Sequence, residues 1–377
     1  MTAAASPGRV LARLDDELRA FWAAAPQPGE MPRARACTMN LVVVAASPAL
    51  AQQWLPVVDE VLLGVPARAI VVGLDPDGAD ALEGSATAVC TPAASGGPAV
   101  CSERVSLLAR GAVCARLSSC VAALSATDVP TTLVWLGRVH ADDPAFAPLA
   151  RDATRVVLDA SLGSLTSLAH VIYWARARPA SDRPGVADLT WTRVAPWQEL
   201  CARFFDEPRT RPLAWNVTRV NVTQASSGGG TLGPEGALLL GWLATSLGWR
   251  AASLGGKLRL LRAGERPVHA QLCAAPGRRL PPGALAALEI EASEGELALS
   301  GEIRREDDEA GGAAMATWRL AVTCRGQTHR LEQRIRLRDA ESARLLERTL
   351  HRPTHDAALV DAVAWADELR GEELSCT

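Results

Sequence analysis

The chain has 377 residues, more than one small hydrophobic core accommodates and enough for two domains of ordinary size. Its 39 basic and 42 acidic side chains leave a formal charge of −3, so no overall field draws it to nucleic acid or to an anionic membrane, and any partner must be selected by local surface. Lys257 is the sole lysine; arginine carries the rest of the positive charge and suits fixed contacts with carboxylates or phosphates, although a GC-rich genome produces the same bias.

The first segment, residues 6–25, holds Asp15, Asp16, Glu17 and Arg19 inside its apolar pattern, which breaks the uninterrupted core a signal peptide needs. Val10, Leu14, Leu18 and Phe21 fall close to one helical face, so a helix docked on the body of the protein is expected. Residues 39–44, a helical pattern through Trp54 and Val58 to Leu63, and residues 69–74 then read as strand, helix, strand, closed by Asp75-Pro76-Asp77-Gly78. Strands that are apolar throughout signal a buried parallel sheet with helices on its faces. Residues 85–91 and 99–108 alternate instead, and read as a hairpin at the sheet edge. A helix over 112–124, a strand over 131–136, a short helix over 144–151, a strand over 155–158 and a helix over 162–176 complete the alternation. The predicted organisation is an N-terminal helix and linker over 1–32, then an α/β mixed-sheet domain over 33–178.

Residues 178–185, Arg-Pro-Ala-Ser-Asp-Arg-Pro-Gly, have the composition of a linker. Beyond it, 186–377 reads as an α+β, β-rich C-terminal domain: a helix opened by Pro196 and running to Phe205, a strand over 216–223, a Gly-rich loop and a helix over 234–247. Strands follow over 258–261, 268–273, 285–291, 296–304, 314–324 and 329–337, with a solvated hairpin tip at 306–312 and closing helices over 340–350 and 357–369. The longest apolar run, 237–249, falls short of the roughly 20 residues a membrane-spanning helix requires. A soluble, cytoplasmic protein is therefore expected.

The nine cysteines show no Cys-x-x-Cys pair and no zinc-ligand spacing, and in a reducing compartment most are expected as packed thiols. No Gly-x-Gly-x-x-Gly follows the first strand, and there is no phosphate loop, no Gly-x-Ser-x-Gly elbow and no His-Glu-x-x-His. His351 and His355 have metal-ligand spacing, but Pro353 lies between them and Thr354 reads as the cap of a later helix, so the pair straddles a break. The loop at 226–233 precedes a helix opened by Pro234 and can present amides to an anion, or serve as a flexible connection. Asp75-Pro76-Asp77-Gly78 has no downstream glutamate to complete a calcium loop. No catalytic residue, cofactor or metal is expected.

The strongest constellation is aromatic: Asp188-Leu-Thr-Trp191-Thr-Arg193-Val-Ala-Pro196-Trp197. Two indoles six residues apart with an arginine between them suit a cation–π and hydrogen-bonded knot, serving either packing between domains or direct contact with a partner. This segment resembles the middle of the OpcA, or glucose-6-phosphate dehydrogenase assembly protein, family. So do residues 35–44 around Asn40-Leu-Val-Val-Val44, Pro66-Ala-Arg-Ala-Ile70, Val100-Cys-Ser-Glu103, Asp159-Ala-Ser161, Gly241-Trp-Leu243 and Leu247-Gly-Trp249, in family order over about residues 33–250. The resemblance implies a protein without activity of its own that assembles or allosterically activates glucose-6-phosphate dehydrogenase, the entry enzyme of the oxidative pentose phosphate pathway. In photosynthetic members that role is linked to thiol redox control. The alternative is a sugar-phosphate or nucleotide-binding sensor or enzyme whose site uses the C-terminal strand ends of the first domain, where Gly137, Arg138, Asp159 and Ser161 fall. Asp159 and Ser161 also read as turn and cap residues.

Overall fold

Apolar strands of the first half line up as the sequence pattern requires. A computed structural model describes residues 6–24, 31–92, 97–226, 233–254, 257–262, 266–276, 280–306, 314–337 and 341–368. The chain divides into two units: residues 1–189 with 342–355, and residues 190–341 with 356–377. Where the sequence suggests one break at 178–185, the chain passes between units after Leu189 and returns to the first for 342–355.

The first unit is built on β1 (Arg33–Arg35), β2 (Asn40–Ala45), β3 (Arg68–Asp75), β4 (Ala81–Thr91), β5 (Ala99–Arg110), β6 (Thr131–Leu136), β7 (Arg155–Leu158) and β8 (Gly185–Asp188). The order is β1-β5-β3-β2-β6-β7-β8, parallel at each step, with β4 antiparallel on β5 as the edge hairpin. Helices α1 (Pro7–Ala23), α2 (Pro48–Gly64), α3 (Leu117–Leu124), α4 (Phe146–Asp152) and α5 (Leu165–Arg176) belong to this unit. Every residue of β2 is buried, because helices cover a parallel sheet on both faces. α1 buries Val10, Leu14 and Leu18, and Arg13 Nη2 donates to the Gly84 carbonyl in β4 at 2.7 Å. β8 occupies the end of the segment read as a linker; pairing with β7 supplies the order that its Pro-Gly composition does not advertise.

The second unit holds β9 (Val217–Ser226), β10 (Arg250–Leu254), β11 (Lys257–Arg262), β12 (Arg266–Pro276), β13 (Leu285–Glu294), β14 (Leu297–Arg305), β15 (Met315–Cys324) and β16 (Gln327–Arg336). They form one mixed sheet, β10-β11-β12-β9-β13-β14-β15-β16, in which only β12–β9 is parallel. Val220, Val222, Leu288, Ile290, Ile303, Trp318 and Leu320 are buried, while Glu291, Arg304 and Arg319 on the opposite face are exposed, the alternation of a sheet covered on one side. Phe204 stacks on Trp318 at 5.2 Å, and a Cβ on Gly301 would come within 2.8 Å of the Phe204 ring, so that glycine makes room for the aromatic pair.

Helix α6 (Leu189–Ala202) begins seven residues before the predicted start at Pro196, which lies inside it. The proline removes one helical amide, and burial of Trp191, Val194 and Trp197 outweighs that loss. α7 (Pro234–Ser246) opens on its proline as predicted, and α8 (Ser342–His351) and α9 (Ala357–Glu368) close the described chain.

Candidate functional site

The strand order of the first sheet reverses between β2 and β6, the switch point where open α/β sheets bind ligands. At the end of β2, Ser47 caps α2 by accepting from the Leu50 amide at 3.2 Å, and Pro48 at the first helical position has no amide to offer. Ala46 N donates to the Leu136 carbonyl at 3.0 Å. Gly137 has φ of 143°, and a Cβ there would lie 2.6 Å from the Ala46 side chain, so the loops after β2 and β6 are in direct contact. A helix N-terminus that cradles a pyrophosphate needs free amides and a backbone open to approach; here Ser47 already takes the Leu50 amide and the loop after β6 lies against Ala46.

The other strand-end residues are occupied by turns. Trp135 Nε1 donates to the Arg138 carbonyl at 3.4 Å, and Val139 N donates to Ser167 Oγ at 3.2 Å. Asp159 Oδ1 accepts from the Ser161 amide at 3.0 Å and from its hydroxyl, the turn arrangement the sequence suggested. Asp188, fully buried, accepts from the Ala160 amide at 2.8 Å through Oδ2.

The rest of the aromatic motif lies in the second unit. Trp191 Nε1 donates to Asp356 Oδ2 at 2.8 Å. Arg193 pairs with Glu235 Oε1 at 3.5 Å, and Glu235 Oε2 accepts from the Leu285 amide at 3.0 Å, linking α6, α7 and β13. Trp191 and Trp197 are 4 % and 1 % exposed, so their rings are packing elements and Pro196 a feature of the helix between them. Sequence reasoning did not find Asp356 or Glu235. The signal was local: Asp356 caps α9, its Oδ1 accepting from the Leu359 amide at 3.1 Å, a position the sequence reading gave to Thr354. Glu235 follows the helix-opening proline, where a carboxylate is favoured by the helix dipole.

Another buried carboxylate organises the first unit. Glu103, 2 % exposed, accepts from Trp22 Nε1 and Arg68 Nε at 2.5 Å each and pairs with Arg35 at 3.0 Å. Burial on its own raises its pKa, but the bond and charge of Arg68, with the Trp22 bond and the Arg35 charge, leave it below the usual glutamate value.

Most of the described cysteines are thiols as expected, but Cys90 and Cys101 form a disulfide between directly opposed positions of β4 and β5. The hairpin register was the available clue. Cys37, Cys114, Cys120, Cys201 and Cys324 are free thiols. His351 ends α8 and His355 precedes α9, on either side of the break. Among the described residues no group of three or more His, Cys, Asp or Glu is placed to hold a metal, and no helix is long and apolar enough to cross a membrane. Most of the Gly-rich loop, and the acidic tip beyond Glu306, lie outside the described residues.

Comparison with known proteins addresses both units. Residues 58–172 match the model described as the glucose-6-phosphate dehydrogenase subunit N-terminal domain, and residues 184–363 match its C-terminal domain. The chain belongs to the OpcA family. Among OpcA relatives, a Synechocystis sp. protein is 24 % identical over 287 residues, 70 % of this chain and 55 % of the relative. A Nostoc punctiforme protein is 27 % identical over 201 residues, 50 % of this chain and 39 % of the relative. Each is named as an OxPP cycle protein, OpcA, and the chain spans about half the length of these relatives or less. In fold, this OpcA family member is similar to glucose-6-phosphate 1-dehydrogenase from Mycobacterium avium, with a TM-score of 0.50 and 12 % identity over 89 % of this chain and 92 % of that one. The aromatic motif lies in the C-terminal match.

Proposed function

We propose that the chain is a non-catalytic, cytoplasmic assembly factor and allosteric activator of glucose-6-phosphate dehydrogenase in the oxidative pentose phosphate pathway. The observation that carries this reading is the match of both halves to the two domains of the family named for that enzyme's subunit. The capped α2 N-terminus and the contact of Gly137 with Ala46 support it, because they occupy the place where an α/β enzyme of this topology receives a dinucleotide. The same geometry weighs against the sugar-phosphate or nucleotide sensor. The Asp188, Trp191, Arg193, Pro196 and Trp197 motif serves as architecture that holds the partner-facing surfaces in place.

Activation requires only that the chain bind the active arrangement of the dehydrogenase more tightly than the inactive one. A tenfold shift in that ratio needs about 1.4 kcal/mol of differential affinity, a modest demand on an interface. Purified chain is expected to co-elute with the dehydrogenase of its own organism and to change that enzyme's KM or kcat. Failure of both, or a large thermal shift of the isolated chain with nicotinamide nucleotides or sugar phosphates, overturns the reading.

A further inference from the structure

Strand β16 ends the second sheet and, among the described residues, has a neighbouring strand on one side only. It pairs with β15 in unbroken register from Cys324–Gln327 to Met315–Arg336, contains no proline, and is exposed at every position except Ile335. A long, regular edge of this kind is a template for another strand. The turn fixes which of its groups face outward. Arg325 and Gly326 have φ of 49° and 79°, a two-residue type I′ loop that makes Cys324–Gln327 a hydrogen-bonded pair. Odd-numbered residues of β16 therefore bond to β15, while Thr328, Arg330 and Glu332 direct their amides and carbonyls to the sheet edge.

Those same outward-bonding residues continue a charge pattern. The register sets Glu302 opposite Arg319 and Arg319 opposite Glu332. Arg319 bonds both, at 3.0 Å to Glu302 and 3.1 Å to Glu332. The alternation stops at the edge with Glu332. Arg330, on the same face, stands opposite Ala321 and has no ion-pair partner among the described residues. On the other face Leu331, opposite buried Leu320, is 50 % exposed.

We propose that β16 pairs antiparallel with β16 of a second copy of this chain, about a twofold axis at Leu331, so that the two sheets become one. In that register Arg330 lies opposite Glu332 of the second copy and Glu332 opposite the second copy's Arg330, continuing the alternation of charge through the axis. Even-numbered residues meet even-numbered residues, so the outward amides and carbonyls of Arg330 and Glu332 meet those of Glu332 and Arg330 of the second copy. The two Leu331 side chains meet in a non-hydrogen-bonded pair, the closer class, and cover each other. A register centred on Gln333 keeps Glu332 opposite Arg334 but sets Arg330 against Arg336, and like charges directly opposite disfavour it.

Analytical ultracentrifugation of the full chain across micromolar concentrations is expected to show a dimer. Arg330→Glu and Glu332→Arg should each weaken it by roughly tenfold or more, and the double charge swap should restore it. Restoration is decisive, because Glu332→Arg alone also removes the bond from Arg319. With exposed Cys324 changed to Ser, Leu331→Cys should give a cross-linked dimer on oxidation and His329→Cys should not, since His329 faces Gln333 in this register. A chain that is monomeric throughout, a dimer indifferent to the single charge reversals, or the absence of a cross-link at 331 overturns the proposal.

Discussion

Arg155 opens β7, and its Nη1 donates to the main-chain carbonyl of Thr349 at 3.0 Å, 194 residues further along the chain. The same guanidinium reaches the carbonyls of Leu350 at 2.9 Å and Arg352 at 2.6 Å. These acceptors lie at the C-terminal end of α8, where the helix dipole favours a cation. The segment 342–355 belongs to the first unit although the second unit precedes it in sequence, and Leu346 and Leu350 join Trp54 and Val58 of α2 in one core. Arg155 thus holds a returning segment to the sheet.

Replacing Arg155 by Met is expected to lower stability by about 2–4 kcal/mol, since buried carbonyls lose a charged donor. The urea midpoint should fall with little change in slope, and proteolysis within 341–356 should accelerate. Burial lowers the Arg155 pKa from the ordinary arginine value, yet the group stays charged at neutral pH. Lysine, lacking the planar fork, should recover only part of the loss. A variant as stable as the parent would remove Arg155 from this role.

Glu103 predicts an acid limb. Its folded pKa lies below the usual glutamate value, so its contribution is present above that value and is lost as pH falls from there through the folded pKa. At neutral pH Glu103→Gln should cost about 3 kcal/mol, because Arg68 and Arg35 lose a buried counter-charge. The variant should also lose the part of the parent's acid destabilisation that comes from this carboxylate. Trp22 donates to Glu103, so its fluorescence should report release of the end of α1. Equal steepness of the two acid limbs would show that another group controls them.

Much of the first sheet was legible in sequence because parallel strands buried on both faces are apolar throughout: 131–136 and 155–158 coincide with β6 and β7. β8 was hidden, since Gly185-Val-Ala-Asp188 offers four residues after a proline and takes its order from pairing with β7. The start of α6 was misplaced because Pro196 imitates a helix opening when burial of the preceding turn is unknown. At the candidate site, Asp159 and Ser161 could be read as a local turn. The partners of Trp191 and Glu103 could not, because Asp356 and Trp22 are far away in sequence and no periodicity links them.

The buried indoles separate architecture from partner contact. Trp191→Phe keeps an aromatic ring and removes the bond to Asp356, so it should cost about 1 kcal/mol of stability. Under the proposed function, activation of the dehydrogenase by the folded variant should be unchanged at saturating concentration. Trp197→Ala, at a side chain 1 % exposed, should cost about 3–5 kcal/mol through lost contacts and a cavity. Normal stability with abolished activation for Trp191→Phe would instead place that ring in the interface.

The disulfide makes a local prediction. Cys90 is exposed and Cys101 fully buried, so a reductant reaches the bond from the Cys90 side. The bond closes an 11-residue separation in a hairpin whose inner strand, β5, is also held by β3. Loss of this bond should therefore cost about 2–3 kcal/mol at most. Hydrogen exchange should rise first along the edge strand, 81–91, while β2 and β3 stay protected. Burial raises the pKa of the Cys114, Cys120 and Cys201 thiols, the last to about 12, so alkylation of the reduced chain should label Cys90 before these three. Cys90→Ser should show the same exchange along 81–91 as the reduced parent and respond no further to reductant at this hairpin. Exchange that rises equally through the central strands would mean that the bond stabilises the whole unit, not its edge.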